Sequence, residues 1–464
     1  MQTRSTAGCV VWYTRSVPAE SLRPHVVIKA HRDSPLSKSA SRTVPLATIC
    51  PILSVSHSMR ILHTSDWHLG QHFMGKTRHA EHQAFIDWLV RQVDAHAVDA
   101  VLVAGDIFDT GAPPSYAREL YNRLVVDLHR AGVALLLLGG NHDSVATLEE
   151  SRPVLSCLGV TVVPALAEDP ARQVLTLCRR DGSPGAIVCA IPFIRPRDVL
   201  HSQSGQSAED KQRALQEAIR HHYQRVHDHA CRQREALGQA LPIVATGHLT
   251  TVGASASESV REIYVGSLEA FPTAAFPPAD YIALGHIHRP QKVGGLDHVR
   301  YCGAPIPLSF DETGQRKEVL LVELQTGAPA RVHPLEVPCF QPLASVRGTL
   351  AELEIAIHQA AGLALPEKPV WLEVTVRGDD YLSDLQARVQ QIAQGLPVEV
   401  LRLRRERTQT AGALHAAERE TLDDLTPFEV FDKRMAQETL DEALQVRLRA
   451  CYRSVVDSLT EGAA

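Results

Sequence analysis

The stretch Ala100-Val101-Leu102-Val103-Ala104-Gly105-Asp106-Ile107-Phe108-Asp109 runs five apolar residues together and then closes on a glycine and two carboxylates. An unbroken apolar run of that length, bounded by turn residues, reads as a strand buried on both faces. Outward from it, residues 78–97 set Phe85, Ile86, Leu89, Val90 and Val93 at helical spacing, residues 117–130 predict a second helix, and residues 133–138 predict a second buried strand. Arg60-Ile61-Leu62-His63-Thr64 opens the series, and strand signals resume at residues 242–246, 281–284 and 319–324. Buried strands alternating with helices predict an α/β core whose functional loops follow the strands' carboxyl ends.

Five segments stand at those ends, each carrying hard or borderline metal ligands: Asp66-Trp67-His68, Gly105 to Asp109, Gly140-Asn141-His142-Asp143, Gly247-His248, and Gly285-His286-Ile287-His288. On an extended backbone residues i and i+2 point the same way, so Asp66 with His68, and His286 with His288, can each address one cavity. The glycines before Asp106, Asn141, His248 and His286 are read as sharp turns under a metal. Mixed oxygen and imidazole ligands suit Mn, Fe or Zn, and the chemistry that fits is phosphate-ester hydrolysis at two closely spaced ions. Asp106 is the candidate bridging carboxylate, and the histidine next to Asn141 is placed to protonate a leaving oxygen. Each segment alone is a common turn sequence; five in this order, each after an apolar strand, are hard to obtain by accident.

The chain has 464 residues, 44% hydrophobic and 22% charged, enough for two or three domains with a sizeable core. A net charge of −6 argues mildly against a protein that coats DNA by itself. None of the nine cysteines forms a CxxC pair, which excludes a zinc ribbon and fits a reducing cytoplasm, and no apolar stretch approaches the length of a membrane span. Residues 1–58 differ in kind, with seven Lys/Arg against two Asp/Glu and no signal-peptide pattern, a composition that also fits a transit peptide. The expectation is that they are not native or not ordered and that translation starts at Met59; peptides from before Met59 on the natural protein would refute it. Setting them aside leaves 40 basic and 51 acidic side chains, a sharper acidity that makes phosphate contact a local affair.

The motif order resembles the calcineurin-like metallophosphoesterase superfamily. Longer strings, His63-Thr-Ser-Asp-Trp-His-Leu-Gly70, Gly105-Asp-Ile-Phe-Asp-Thr-Gly111, Thr246-Gly-His-Leu-Thr-Thr-Val-Gly253 and Tyr281-Ile-Ala-Leu-Gly-His-Ile-His288, resemble its SbcD family of nuclease subunits, as do residues 301–310 and 425–431. The resemblance runs from Met59 nearly to the end. It implies a four-layer αββα sandwich over residues 59–335, a small α+β capping domain for DNA over residues 340–405, and a linker with a helical tail over residues 406–464. It also implies two divalent ions, manganese, one held by Asp66, His68 and His288 and the other by Asn141, His248 and His286. Asp106 would bridge them, His142 would be the catalytic acid, and Asp109 would orient it. The implied activity is 3′→5′ exonuclease on duplexes and endonuclease on single strands, acting at DNA ends and hairpins in recombination, replication and repair. The implied partner is an SbcC-type coiled-coil ATPase, in a heterotetramer with two copies of each subunit, cytoplasmic and associated with the nucleoid.

Outside the five segments, the strand Val370 to Val376 puts Val370, Leu372, Val374 and Val376 on one face and Trp371, Glu373 and Thr375 on the other. Residues 402–407 read as a charged linker, Thr426-Pro427-Phe428-Glu429 as a capping box, and Leu440, Leu444, Leu448, Tyr452, Val455 and Leu459 as the apolar stripe of an amphipathic helix that suits the partner. The polar helix around residues 202–239 carries four histidines, read as mostly solvated, over a buried face of Leu215, Ile219, Tyr223 and Val226. One motif points elsewhere: Gly70 to Thr77 satisfies GxxxxGK[ST]. A phosphate-binding loop, however, follows its strand directly, and here Ser65 to Leu69 intervene. A phosphoesterase acting on nucleotides or phosphoproteins is the remaining alternative, since it would share fold and metals.

Overall fold

The computed structural model describes residues 58–200, 207–260, 270–377, 384–406, 431, 435 and 442–461. Two six-stranded sheets face each other. In the first, Met59–Thr64, Ala100–Val103, Ala134–Leu138 and Val160–Val163 run parallel; Glu318–Leu324 pairs antiparallel with Met59–Thr64, and Arg331–Glu336 pairs antiparallel with Glu318–Leu324 at the edge. In the second, Ile243–His248 lies parallel to both Tyr281–Gly285 and Pro184–Cys189, with Leu296–Tyr301, Gln291–Val293 and Val174–Cys178 outside them.

Alternation within the apolar strands builds the four layers. Ile61, Ala100, Leu102, Leu136 and Leu138 turn inward to meet Val188, Val244, Tyr281 and Ala283 of the other sheet. Leu62, Val101, Val103, Leu135 and Leu137 turn outward and are covered by the helices His79–Ala95 and Ser115–Arg130. On the far side the 30-residue helix Ala208–Leu237 buries Leu215, Ile219, Tyr223 and Val226 against Ile243, Ala245, Ile282 and Leu284. Strands covered on both faces explain the lack of polar alternation that marked them in the sequence. On that long helix His221 is exposed, but His222 and His227 are buried, contrary to the expectation of solvated histidines. His222 Nε2 lies 3.0 Å from Gln173 Oε1, and burial lowers its pKa to about 4.

The small unit differs from the α+β expectation. Leu343–Gly348, Val370–Arg377 and Val398–Glu406 form one wholly parallel sheet crossed over by the helices Leu350–Ala361 and Leu385–Ala393, a βαβαβ arrangement. Of the charged linker expected over residues 402–407, Arg402 to Glu406 are the end of the unit's third strand, and Arg407 lies outside the described residues. A bulge between Leu372 and Glu373 lets Leu401 pack on the face opposite Val400 and Leu403, and that break in alternation, with three arginines, hid the strand. Arg402 and Arg404 lie 3.2 and 3.3 Å from the buried Glu373.

Trp371 turns away from the unit's own core toward Phe73, stacked at 5.8 Å, in a cluster with Phe310 and Leu343. Phe73 belongs to the hairpin His72–Phe73/Lys76–Thr77, whose turn has positive φ at Met74 and Gly75. The glycine-lysine motif is therefore a β-hairpin before the helix, not a phosphate cradle, and Lys76 pairs with Glu399. Trp371→Ala is expected to cost about 3 kcal/mol, read as a lower melting temperature and faster hydrogen exchange in Leu343–Gly348.

The capping box at Thr426 to Glu429 and the stripe position Leu440 lie outside the described residues, as do residues 1–57. In the helix Glu442–Glu461, Leu444 and Leu448 are exposed, and Tyr452 stacks on Phe431 at 4.0 Å. No helix among the described residues is long and apolar enough to cross a membrane.

Candidate metal centre

All five segments meet at the carboxyl ends of the strands of both sheets. The loop after Met59–Thr64 is zipped to the loop after Ala100–Val103: Asp66 N donates to Gly105 O, His68 N to Asp106 O, and Leu69 N to Ile107 O. Bonds across the two sheets then lock the site. Asp66 accepts the His286 main-chain N–H at 3.0 Å, and His248 Nδ1 lies 2.8 Å from the Ala104 carbonyl, to which it donates. That contact fixes the tautomer and leaves Nε2 facing the cavity.

The backbone reaches this arrangement by a route the pattern did not predict. Asp66, His68, Asp106 and His286 have φ of 54°, 46°, 51° and 93°, the left-handed region that non-glycine residues avoid. Left-handed turns, rather than an extended pleat, bring Asp66 and His68 to one cavity, with Trp67 packed in the core between them. Strain of this kind persists only where surrounding bonds over-determine it, and it clusters at functional sites. The glycines are needed for turning and for space. Gly105 both turns, with φ 96°, and makes room, since a Cβ there would run into the His248 ring; a Cβ on Gly140 would run into the Asp106 carboxylate and one on Gly285 into the Ala104 carbonyl, so these two make room without a left-handed turn.

Asp66, His68 and His288 offer ligand atoms within 4.8 Å of one another, as do Asp106, His248 and His286, and all six are buried. Asn141 joins the second group, its Oδ1 2.8 Å from His248 Nε2 and 3.1 Å from His286 Nδ1. Asp106 lies between the groups, with Oδ2 3.6 Å from His68 Nε2 and 3.3 Å from His248 Nε2. Burial raises the Asp106 pKa, but His248, His68 and His142 outweigh it and hold the carboxyl well below its usual range. His286 is held neutral by burial and by His248. His68 Nε2 and His286 Nε2 are buried without a hydrogen-bond partner, which is costly unless another species binds them. A carboxylate kept ionised among converging imidazoles fits divalent metal ions. The long helix's histidines form no such group among the described residues.

His142 stands beside these groups, half-buried, its ring 4.6 Å from that of His68. Its Nδ1 contact, 2.8 Å, is to the main-chain carbonyl of Asp109, while the Asp109 carboxylate reaches His68 Nδ1 at 3.1 Å. Asp109 thus meets His142 through its main-chain carbonyl and His68 through its carboxylate, and the three side chains cluster, with ligand atoms within 4.8 Å of one another. Asp143, part of the third segment but given no role there by the sequence pattern, has a buried carboxylate that accepts the main-chain N–H groups of Ile107, Phe108 and Gly140, tying the loops after two strands together. Burial and the Asp106 charge raise its pKa to about 6. Asp143→Ala, which strands three buried donors, is expected to cost about 2 kcal/mol in chemical denaturation. His63 is a core residue of the first strand, 2.9 Å from Tyr281 Oη, with burial lowering its pKa to about 3.

Fold and site define a calcineurin-like phosphoesterase, and that family's profile matches residues 59–290. A second profile, described as the type 5 capsule protein repressor C-terminal domain, matches residues 339–439. The chain belongs to the SbcD family: it is 53% identical over 401 residues to the D subunit of the SbcCD nuclease of Escherichia coli K12, covering 86% of this chain and 98% of that protein. The proteins of the same name from Rhodobacter capsulatus and Bacillus subtilis are 36% and 28% identical, covering 80% and 70% of this chain and 93% and 81% of theirs.

Proposed function

We propose that the chain is the nuclease subunit of a two-subunit assembly and hydrolyses DNA phosphodiesters with two divalent ions, manganese being the metal. The observation that carries this reading is the Asp106 carboxylate between two buried ligand groups, with His142 alongside. Asp66, His68 and His288 would hold one ion, Asn141, His248 and His286 the other, and Asp106 both. Bound there, the ions supply Lewis-acid polarisation of the phosphoryl oxygens and activation of the attacking water. His142 acts as general acid: with Nδ1 committed to the Asp109 carbonyl, the imidazolium carries its mobile proton on Nε2 and delivers it to the departing sugar oxygen.

The relatives' name, D subunit of the SbcCD nuclease, supports a partner of the SbcC kind. DNA ends, hairpins and single strands are the substrates of this reading, and recombination, replication and repair its setting. Two copies of each subunit and a cytoplasmic, nucleoid-associated location complete the reading. The parallel unit packed through Trp371 on Phe73 would cap the site for DNA, and the exposed Leu444 and Leu448 would dock on the partner. A hairpin-ended duplex with Mn2+ tests this. Cleavage by the chain with its partner, abolished by EDTA and restored by excess Mn2+, is the expected result; intact DNA under every condition would refute the assignment.

A further inference from the structure

Behind His288 lies a buried ion pair that the ligand set does not include. Glu312 is wholly buried and Lys317 nearly so, with Lys317 Nζ 2.6 Å from Glu312 Oε2. Lys317 also donates to the His288 carbonyl at 3.1 Å, and Leu308 N donates to Glu312 Oε2 at 3.1 Å. The other carboxylate oxygen, Oε1, accepts the hydroxyls of Ser257 at 2.9 Å and Ser259 at 2.5 Å. Ser259 Oγ in turn lies 2.6 Å from His288 Nδ1. A buried charge pair costs desolvation and is a weak stability device, so its position under a ligand asks for another reason.

Donor arithmetic supplies one. An ionised carboxylate only accepts, and every group around Glu312 meets it as a donor: the Lys317 ammonium and the Leu308 N–H at Oε2, the serine hydroxyls at Oε1. Ser259 has one hydrogen, which it donates to Glu312 Oε1, so the Ser257 hydroxyl 3.0 Å away accepts nothing from it; the same Oε1 lies 3.4 Å from His288 Nδ1, a second acceptor on that side of the ring. Ser259 can then only accept from His288, so the proton sits on Nδ1. We propose that Glu312, through Ser259, is a positioning residue for the metal centre, holding the His288 ring as the tautomer that presents a bare Nε2 toward Asp66 and His68. The proposal rests on the reading of His288 as a ligand.

Glu312→Gln should reverse the chain of bonds. Lys317 and Leu308 are both donors on the Oε2 side, so the amide oxygen must face them and the amide NH2 must face the serines. Ser259 would then direct its hydrogen to His288 and favour the tautomer with its proton on Nε2. Titration of the full-length chain with Mn2+, following free ion by electron paramagnetic resonance, reads this without any turnover. Wild type should take up two ions. Glu312→Gln and Ser259→Ala should each weaken one uptake step by about 10- to 100-fold and leave the other unchanged. Ser259→Thr, which keeps the hydroxyl, should restore wild-type uptake, a rescue that general destabilisation would not produce. Ser259 is only half-buried, so Ser259→Ala carries the test if Glu312→Gln does not fold. Two steps of wild-type affinity in the folded variants overturn the proposal and spare the metal reading; a wild-type chain that takes up no Mn2+ overturns both.

Discussion

Asp106→Asn is expected to lower phosphodiester hydrolysis by about four orders of magnitude while leaving the fold intact. The carboxylate touches both ligand groups, 3.6 Å from His68 Nε2 and 3.3 Å from His248 Nε2. The substitution removes the one charge shared between them and sets an NH2 donor where an acceptor is needed. The fold has no reason to change, because an amide oxygen can still accept the His142 main-chain N–H that Oδ1 now accepts at 2.9 Å. Circular dichroism should match wild type, and Mn2+ uptake should fall together with the rate. A loss below about tenfold would mean that Asp106 does not bridge the centre.

His142→Ala is expected to separate chemistry from binding. Both ions should still bind, since the ligand atoms of the two buried groups are untouched. The rate on DNA should fall by about three orders of magnitude, because a sugar alkoxide is a poor leaving group that needs a proton in the transition state. On bis-p-nitrophenyl phosphate, whose phenolate leaves unaided, the loss should stay within about tenfold. Equal losses on the two substrates would show that His142 does not act as the acid.

The layered core was legible because its strands, such as Ala100–Val103 and Ala134–Leu138, are covered on both faces and therefore apolar throughout. Strands at or near the open edges were not: Val174–Cys178, Gln291–Val293 and Arg331–Glu336 are short or half-exposed and carry no clean periodicity. Val398–Glu406 was misread because its bulge breaks the alternation and its arginines resemble a linker. At the site, residue types that ligate metals announced themselves, and the structure gathers Asp66, His68, Asp106, Asn141, His248, His286 and His288 at one end of the sandwich. The supporting residues did not announce themselves. Asp143 and Glu312 act through what they hold, main-chain N–H groups for Asp143 and, for Glu312, the Ser259 hydroxyl among other donors, and ligand spacing carries no trace of that. Asp109 shows the same limit, since the sequence cannot tell whether a residue will orient a neighbour with its carboxylate or with its carbonyl.

The central claim is a pair of ions sharing Asp106, and anomalous diffraction at the manganese edge from crystals grown with Mn2+ tests it most directly. The account predicts two peaks about 3.5–4 Å apart on either side of the Asp106 carboxylate, one beside Asp66, His68 and His288, the other beside Asn141, His248 and His286. A single peak, or two peaks that do not share Asp106, would contradict it.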